Sequence, residues 1–428
     1  MRRKSSWIAA SCIVAVAGFL PVISTGASPA STETVLYSFT GGNDGAHPRS
    51  DLTIDNAGNL YGTTSSGGTG TACGGGCGTV FVLKRSAKDW KEEVLYSFAG
   101  GKDGAIPEAG VTFDNSGNLY GTTTIGGSQN SGTVFKLVPN SLGGWTETVI
   151  YSFSFSGSSG ANPAADLILD AKNNLYSTTP VGGTGCNGNG CGTVFELSPL
   201  SNGSWKETTI HAFMGAPDGA IPSSGLVLGS RGDLYGMTQY GGTAPCDLHT
   251  LLPGCGTIYK LTPNSGGGWT ETVMYNFIRG GGRGIYPSGG LLLDPAGHLI
   301  GTTRSGGDGI GAIFKLYDSP KAGWQQNVLH RFWGGHIDGW YPIARLVSDV
   351  NGNLFGVTLA AGTNDDGVVF ELIRLGGRWK ERILYNFASG STGTTPQGGL
   401  VLDSQGHIYG TTPTGGTGSL GTIYEITP

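Results

Sequence analysis

Charge and long apolar runs are what this chain has little of. Only 13% of its 428 residues are Asp, Glu, Lys or Arg, which is not the strongly charged composition of a chain that stays disordered. Beyond the first 30 residues no apolar run approaches the roughly 20 residues that a membrane-spanning helix needs. Helical periodicity is absent as well. So are a nucleophile elbow, an HExxH helix and a P-loop, which removes the sequence signatures of serine hydrolases, zinc proteases and nucleotide-dependent enzymes. No pair of acids recurs at a spacing that would make an acid/base couple, and no catalytic residue, metal ligand or cofactor is assigned.

Glycine is what the chain has in excess, 79 residues beside 20 prolines. That is nearly a quarter of the sequence, close to the level at which unpatterned chains are disordered. The 38% hydrophobic content, with 16 Tyr, 16 Phe and 9 Trp, supplies a core nonetheless, so the glycines are expected at fixed turns.

The N-terminus reads "MRRK", then "WIAASCIVAVAGFLPVI", then "STGASPAS", the three-part layout of a secretory signal peptide. Residues 1–30 are read as that leader, with cleavage expected between Ala27 and Ser31; Cys12 lies too early and in the wrong context for a lipoprotein. Its removal takes Arg2, Arg3 and Lys4 but no acid, leaving 22 of the 25 basic residues against 30 acidic ones. Nucleic acid is excluded as a partner by that balance. The chain is expected to be secreted or periplasmic, with no membrane span after processing, and monomeric.

Residues 31–428 read as one domain of seven copies of a single unit. "YSFTGGNDGAHP" from residue 37 recurs as "YSFAGGKDGAIP" from 96 and, more altered, as "HRFWGGHIDGWYP" from 330. The repeated phenylalanines Phe39, Phe98, Phe153, Phe213, Phe277, Phe332 and Phe387 lie 55 to 64 residues apart. Such a fixed period marks a propeller, solenoid or array. Each unit holds four short β-type runs, as in "GLVLD" (399–403), "NLYGTT" (118–123), "GTVFKL" (132–137) and "WTETVIYSF" (145–153), separated by Gly/Asn turn chemistry. The fold class is therefore all-β, a seven-bladed propeller of four-stranded blades. The mature N-terminus opens on a fourth strand, "TETVLYSF", and the C-terminus stops after a third, "GTIYEITP". Ring closure would join the two, the N-terminal strand completing the last blade.

The units "GNLYGTTTIGG" (117–127), "GTVFKLVP" (132–139) and "VLYSF" (35–39) resemble the GloVer tandem-repeat (choice-of-anchor) family of secreted proteins. The resemblance covers essentially all of the mature chain and implies a β-propeller-like fold and export. It brings no catalytic motif. Some members carry variable C-terminal anchors; none is read here, which puts surface attachment in doubt.

Trp90, Trp145, Trp205, Trp269, Trp324 and Trp379 open the six internal fourth strands and are read as inter-blade packing residues. The Thr, Glu and Lys of those strands read as charge on an outer edge, where it blocks edge-to-edge pairing. Six cysteines form three local pairs, Cys73/Cys77, Cys186/Cys191 and Cys246/Cys255, each between a second and a third strand. Zinc would need four ligands, and only His249 lies near a pair, so disulfides are expected in an exported protein. Asp55, Asp114, Asp170, Asp294, Asp349 and Asp403 of "DxxGN" are read as turn caps. Asp44, Asp103, Asp218 and Asp338 of "DGxxP" are read the same way, with a hard cation at the propeller axis as the alternative.

A site is expected on the face carrying the DGxxP and disulfide loops. Units five and six depart most from the repeat: Arg279, Arg283 and Tyr286 in one, Trp333, His336, Asp338, Trp340 and Tyr341 in the other. Aromatic, basic and hydrogen-bonding side chains together suit stacking on a carbohydrate, or an acidic sugar. An extracellular glycan or protein ligand is the expected partner of a binding module. A propeller enzyme acting on polysaccharide, as a lyase or hydrolase, is the alternative, with His336 and Tyr341 or Tyr286 as base and acid and Asp338 orienting His336. His211 and His330, which replace the tyrosine of "YSF", read as packed strand residues.

Overall fold

Seven four-stranded antiparallel sheets follow one another along the chain in the computed structural model, which describes residues 31–428 except 87–88, 156, 189, 247–251 and 307–308. The 1–30 leader, with Cys12, and His249 lie outside the described residues. Blade one is built from Thr53–Ile54, Leu60–Thr64, Thr79–Arg85 and Trp90–Ser97; five more repeat that order. Blade seven takes three strands from the C-terminus, Val401–Leu402, Ile408–Thr412 and Thr422–Thr427, and its fourth from Thr32–Ser38. The closing pair runs antiparallel from Thr32 opposite Thr427 to Ser38 opposite Thr422. No α-helix occurs among the described residues, and no helix there is long and apolar enough to cross a membrane.

Second strands such as Leu60–Thr64 are buried at every position, because they lie between two other strands and between two neighbouring blades. Fourth strands alternate: Trp145, Glu147 and Val149 are partly covered while Thr146 and Thr148 are exposed. The tryptophans do pack across blades. Trp90 meets Tyr409, Trp205 meets Tyr120 and Trp269 meets Tyr176, each edge-on at 5.9 Å.

The repeated phenylalanine explains the period. At the end of each fourth strand it stands edge-on to an aromatic in the third strand of the next blade, from Phe39–Phe81 through Phe153–Phe195 to Phe387–Tyr424, with centroids 5.0 to 5.3 Å apart in all seven gaps. Each pair adds about 0.5–1.5 kcal/mol to its area term. In six blades the middle residue of the second strand leaves room for that ring, as at Gly62, where a Cβ would come within 2.7 Å of Phe81 Cζ; blade three places Ser177 there, opposite Phe195.

First strands are shorter than their apolar runs suggested, two residues in six of the blades. The residue before each DGxxP proline has a positive φ, as at Ile106 (57°) and Tyr341 (57°). Blade five alone runs its first strand through this turn, as Gly284–Leu293, with a register shift between Ser288 and Leu292.

Three disulfides close the second-to-third loops, Cys73–Cys77, Cys186–Cys191 and Cys246–Cys255. They fit an extracellular or periplasmic protein.

Candidate functional site

The DGxxP segments and the disulfide loops interlock on one face. Each positive-φ residue donates its N–H to a carbonyl of the preceding blade's loop: Ile106 to Cys77, Ile221 to Cys191, Tyr286 to Cys255 and Tyr341 to Ile310, at 2.8 to 3.1 Å. A left-handed conformation at Ile or Tyr costs on the order of 1–3 kcal/mol, and this bond holds it. The face is thus a rigid collar of seven turns.

On that collar the structure gathers an aromatic and basic strip. Trp340 and Tyr341 stand edge to face at 6.3 Å, the Arg304 guanidinium lies 5.6 Å from the centre of the Tyr341 ring, and Tyr286 leans on Tyr240 at 5.3 Å. Trp333 is 62% exposed and Trp340 37%. His336 is exposed on the turn Gly335–Ile337, and Arg279 and Arg283 are exposed. Trp340 occupies a place that four other blades fill with Ala46, Ala105, Ala161 or Ala220, each at most 3% exposed. The indole rests on Gly334, where an added Cβ would collide with it, and the remainder of its surface faces solvent. Arg304 and Tyr240 escaped the sequence reading, since they lie outside the DGxxP segment and reach it only across a blade boundary.

Asp338 is set apart from this strip. It is 5% exposed and accepts the N–H groups of Trp333 (2.8 Å) and Gly339 (2.7 Å). Its side chain lies beside His330, with His330 Nε2 3.6 Å from Asp338 Oδ1; no bond joins it to His336. The other aspartates of the series behave alike. Asp44 accepts the Tyr37 hydroxyl at 3.0 Å and the Thr40 N–H at 2.7 Å, Asp103 the Tyr96 hydroxyl at 2.7 Å, and Asp218 lies 3.2 Å from His211. They cap their turns in the gaps between blades, so the alternative of a cation held by them at the axis does not stand. The DxxGN aspartates also cap turns: Asp55 accepts Ala57 N–H, Asn59 N–H, the Asn59 side chain and the Tyr61 hydroxyl.

The same gaps correct the reading of the fourth strand. Its Lys and Thr residues face solvent, as Lys206 and Thr208 do. One position per blade, held by Glu33, Glu92, Glu147, Glu207, Glu271, Gln326 and Glu381, instead turns into the gap. Glu207 meets the Tyr151 hydroxyl at 3.5 Å and Gln326 accepts that of Tyr275 at 2.9 Å. Burial, with nearby aspartate charge, raises the carboxyls of Glu92 and Glu147 to about 7; burial against the Tyr385 hydrogen bond leaves Glu33 also at about 7. Gln326 stands in the gap where Arg283 replaces aspartate.

Near the axis, a cavity of about 170 Å³ is lined by residues just past the prolines, including Arg49, Asp51, Glu108, Asp166 and Arg345. At the third position after the proline four units place glycine, while three place Asp51, Asp166 and Arg345. Arg345 Nε lies 3.7 Å from Asp51 Oδ2, and Asp166 accepts the Gly110 N–H at 2.7 Å. Asp166 is pushed up by burial and then by the Asp51 charge, against Arg345. A single substitution of glycine per unit carried this signal, and turn chemistry masked it.

The described residues thus offer surface stacking and charge on the collar, and a small polar axial cavity. A family model described as the Gloeobacter/Verrucomicrobia repeat matches residues 22–188 and 248–428. No curated protein matches the sequence. Among solved structures, an ulvan lyase of polysaccharide lyase family PL25, bound to -[GlcA(1-4)Rha3S]-, is similar with a TM-score of 0.52 at 10% identity, over 90% of this chain and 94% of that one. A provisional 6-phosphogluconolactonase of Bacteroides uniformis gives 0.48 at 13% identity, over 78% and 83%. The extracellular domain of a provisional one-component system of B. thetaiotaomicron gives 0.49 at 10%, over 89% of this chain and 39% of that one. At these identities the likeness is one of fold.

Proposed function

This chain belongs to the Gloeobacter/Verrucomicrobia repeat family, and from that premise we propose that it is an exported binding module that takes an anionic carbohydrate on the collar of blades five and six. The observation that carries the reading is Trp340, a large aromatic at a position where other blades bury alanine, next to Tyr341 with Arg304 over its ring. Exposed indole and phenol faces stack on sugar rings. Arg279, Arg283 and Arg304 supply forked donors for carboxylate or sulfate. Asp338, turned into the blade gap, has no part in this reading.

The test is retention of the mature protein on a panel of neutral, uronate-containing and sulfated polysaccharides. An ulvan-type polymer belongs on the panel because a structure of similar fold is a lyase bound to such a sugar. Trp340→Ala combined with His336→Ala should abolish retention and leave the melting temperature nearly unchanged, since exposed loop residues contribute little to stability. Lys102→Ala on the equivalent loop of blade two should change neither. Retention that survives the double variant refutes the site. New unsaturated ends in the same incubation would replace the module with a lyase.

A further inference from the structure

We propose that His330, Asp338 and Glu381 form a site for one divalent transition-metal ion, of the Zn²⁺ type, in the gap between blades five and six. The site is independent of the carbohydrate reading. His330 ends the fourth strand of blade five (Gly323–Arg331), Asp338 lies on the connection to blade six, and Glu381 is on the fourth strand of blade six (Arg378–Asn386).

One ligand atom from each lies within 4.8 Å of the others. His330 Nε2 is 3.6 Å from Asp338 Oδ1 and 3.6 Å from Glu381 Oε2. Those separations are too long for hydrogen bonds, yet a tetrahedral ion with bonds of ~2.1 Å sets its ligands roughly 3.4 Å apart. An imidazole with two carboxylates is a donor set that such ions accept, and the carboxylates balance the double charge.

The second observation is what the cluster leaves unmade. His330 Nε2 and Glu381 Oε1 are buried and have no hydrogen-bond partner, a costly state for buried polar atoms. The glutamate oxygen is left unpartnered in other gaps too, at Glu33, Glu92, Glu147 and Glu271, so the distinctive atom is His330 Nε2, whose equivalents find a partner without an ion. Tyr37 donates to Asp44 and Tyr96 to Asp103, while His211 sits within bonding distance of Asp218, at 3.2 Å. Only in the His330 gap, among the described residues, does a histidine stand back from both carboxylates and bring three ligand types together. A depression of about 330 Å³, lined by Val328, Leu329, His330, Arg331 and Trp333, opens beside it. The neighbouring Arg331 guanidinium lies over Gly282.

The experiment is titration of the chelator-treated mature protein with Zn²⁺, read by calorimetry and by melting temperature. One equivalent should bind with a dissociation constant in the micromolar range or below and raise the melting temperature. His330→Tyr installs the tyrosine that five units carry at this position, so it should fold while losing at least tenfold in affinity and the thermal shift. Glu381→Gln should do the same, following Gln326. His211→Tyr, the matched change two gaps away, should leave binding intact. Absence of a stoichiometric site in the wild type overturns the proposal, and so does binding that survives His330→Tyr or is lost equally in His211→Tyr.

Discussion

Glu92 lies half-buried near Tyr37 and Asp44 in the gap between blades seven and one, its Oε1 without a partner. Burial raises its carboxyl from about 4.5 to about 7, so the folded chain keeps a proton that the unfolded chain has released. A raised carboxyl contributes its stability in full below about pH 4.5 and loses it as pH climbs toward 7. Glu33 and Glu147 add to the same decline. Glu92→Gln copies Gln326, which already serves in the fifth gap, and should flatten part of the slope. We expect the variant to melt with the wild type at pH 4.5 and several degrees above it at pH 8, measured by differential scanning calorimetry. Equal melting temperatures at both ends would show that the gap solvates the carboxylate. In the sequence these glutamates were visible as a repeat, but not as buried groups. An edge strand alternates faces, and whether the second face meets water or a neighbouring blade depends on the ring.

At the scale of elements, the disulfide loops act on the collar through its backbone. Cys191 offers its carbonyl to the N–H of Ile221, and Cys77 to that of Ile106, each a residue held at a positive φ of 55° to 57°. Three cystines of sequence separation 4, 5 and 9 limit the unfolded loop and hold these carbonyls. Replacing Cys186 and Cys191 together by serine should cost about 2 kcal/mol in the chain-entropy estimate, seen as a lower urea midpoint at unchanged slope. An unaltered midpoint would mean that the interlocked loops hold themselves. The cystine pairs were legible from local spacing, as were the aspartate caps, because both depend on residues close in sequence. The strip formed by Tyr240, Tyr286, Arg304 and Tyr341 was only half legible, since its contacts join different blades.

For the whole molecule, closure rests on Thr32–Ser38 pairing with Thr422–Thr427 and on Phe39 meeting Phe81 of blade one. Deleting residues 31–40 leaves the third strand of blade seven with an open edge and removes one of seven aromatic contacts between blades. The truncated protein should melt far below residues 31–428 and less cooperatively. Melting at the same temperature would show that six blades and a partial seventh hold without the seam.

What the sequence by itself determined is the repeat: seven units, four strands in each, the turn chemistry, the three cystines and the split last blade. These follow from local periodicity and from residues whose partners are near in the chain or fixed by the repeat. Only the tertiary structure decided which departures from the repeat meet one another. Asp51, Asp166 and Arg345 come from three units yet share one axial cavity, and His330, Asp338 and Glu381 converge from two blades. Ring closure brings together positions that are more than a hundred residues apart in the first case and about fifty in the second, and a side chain's neighbours across a blade gap are set by that geometry, not by spacing along the chain.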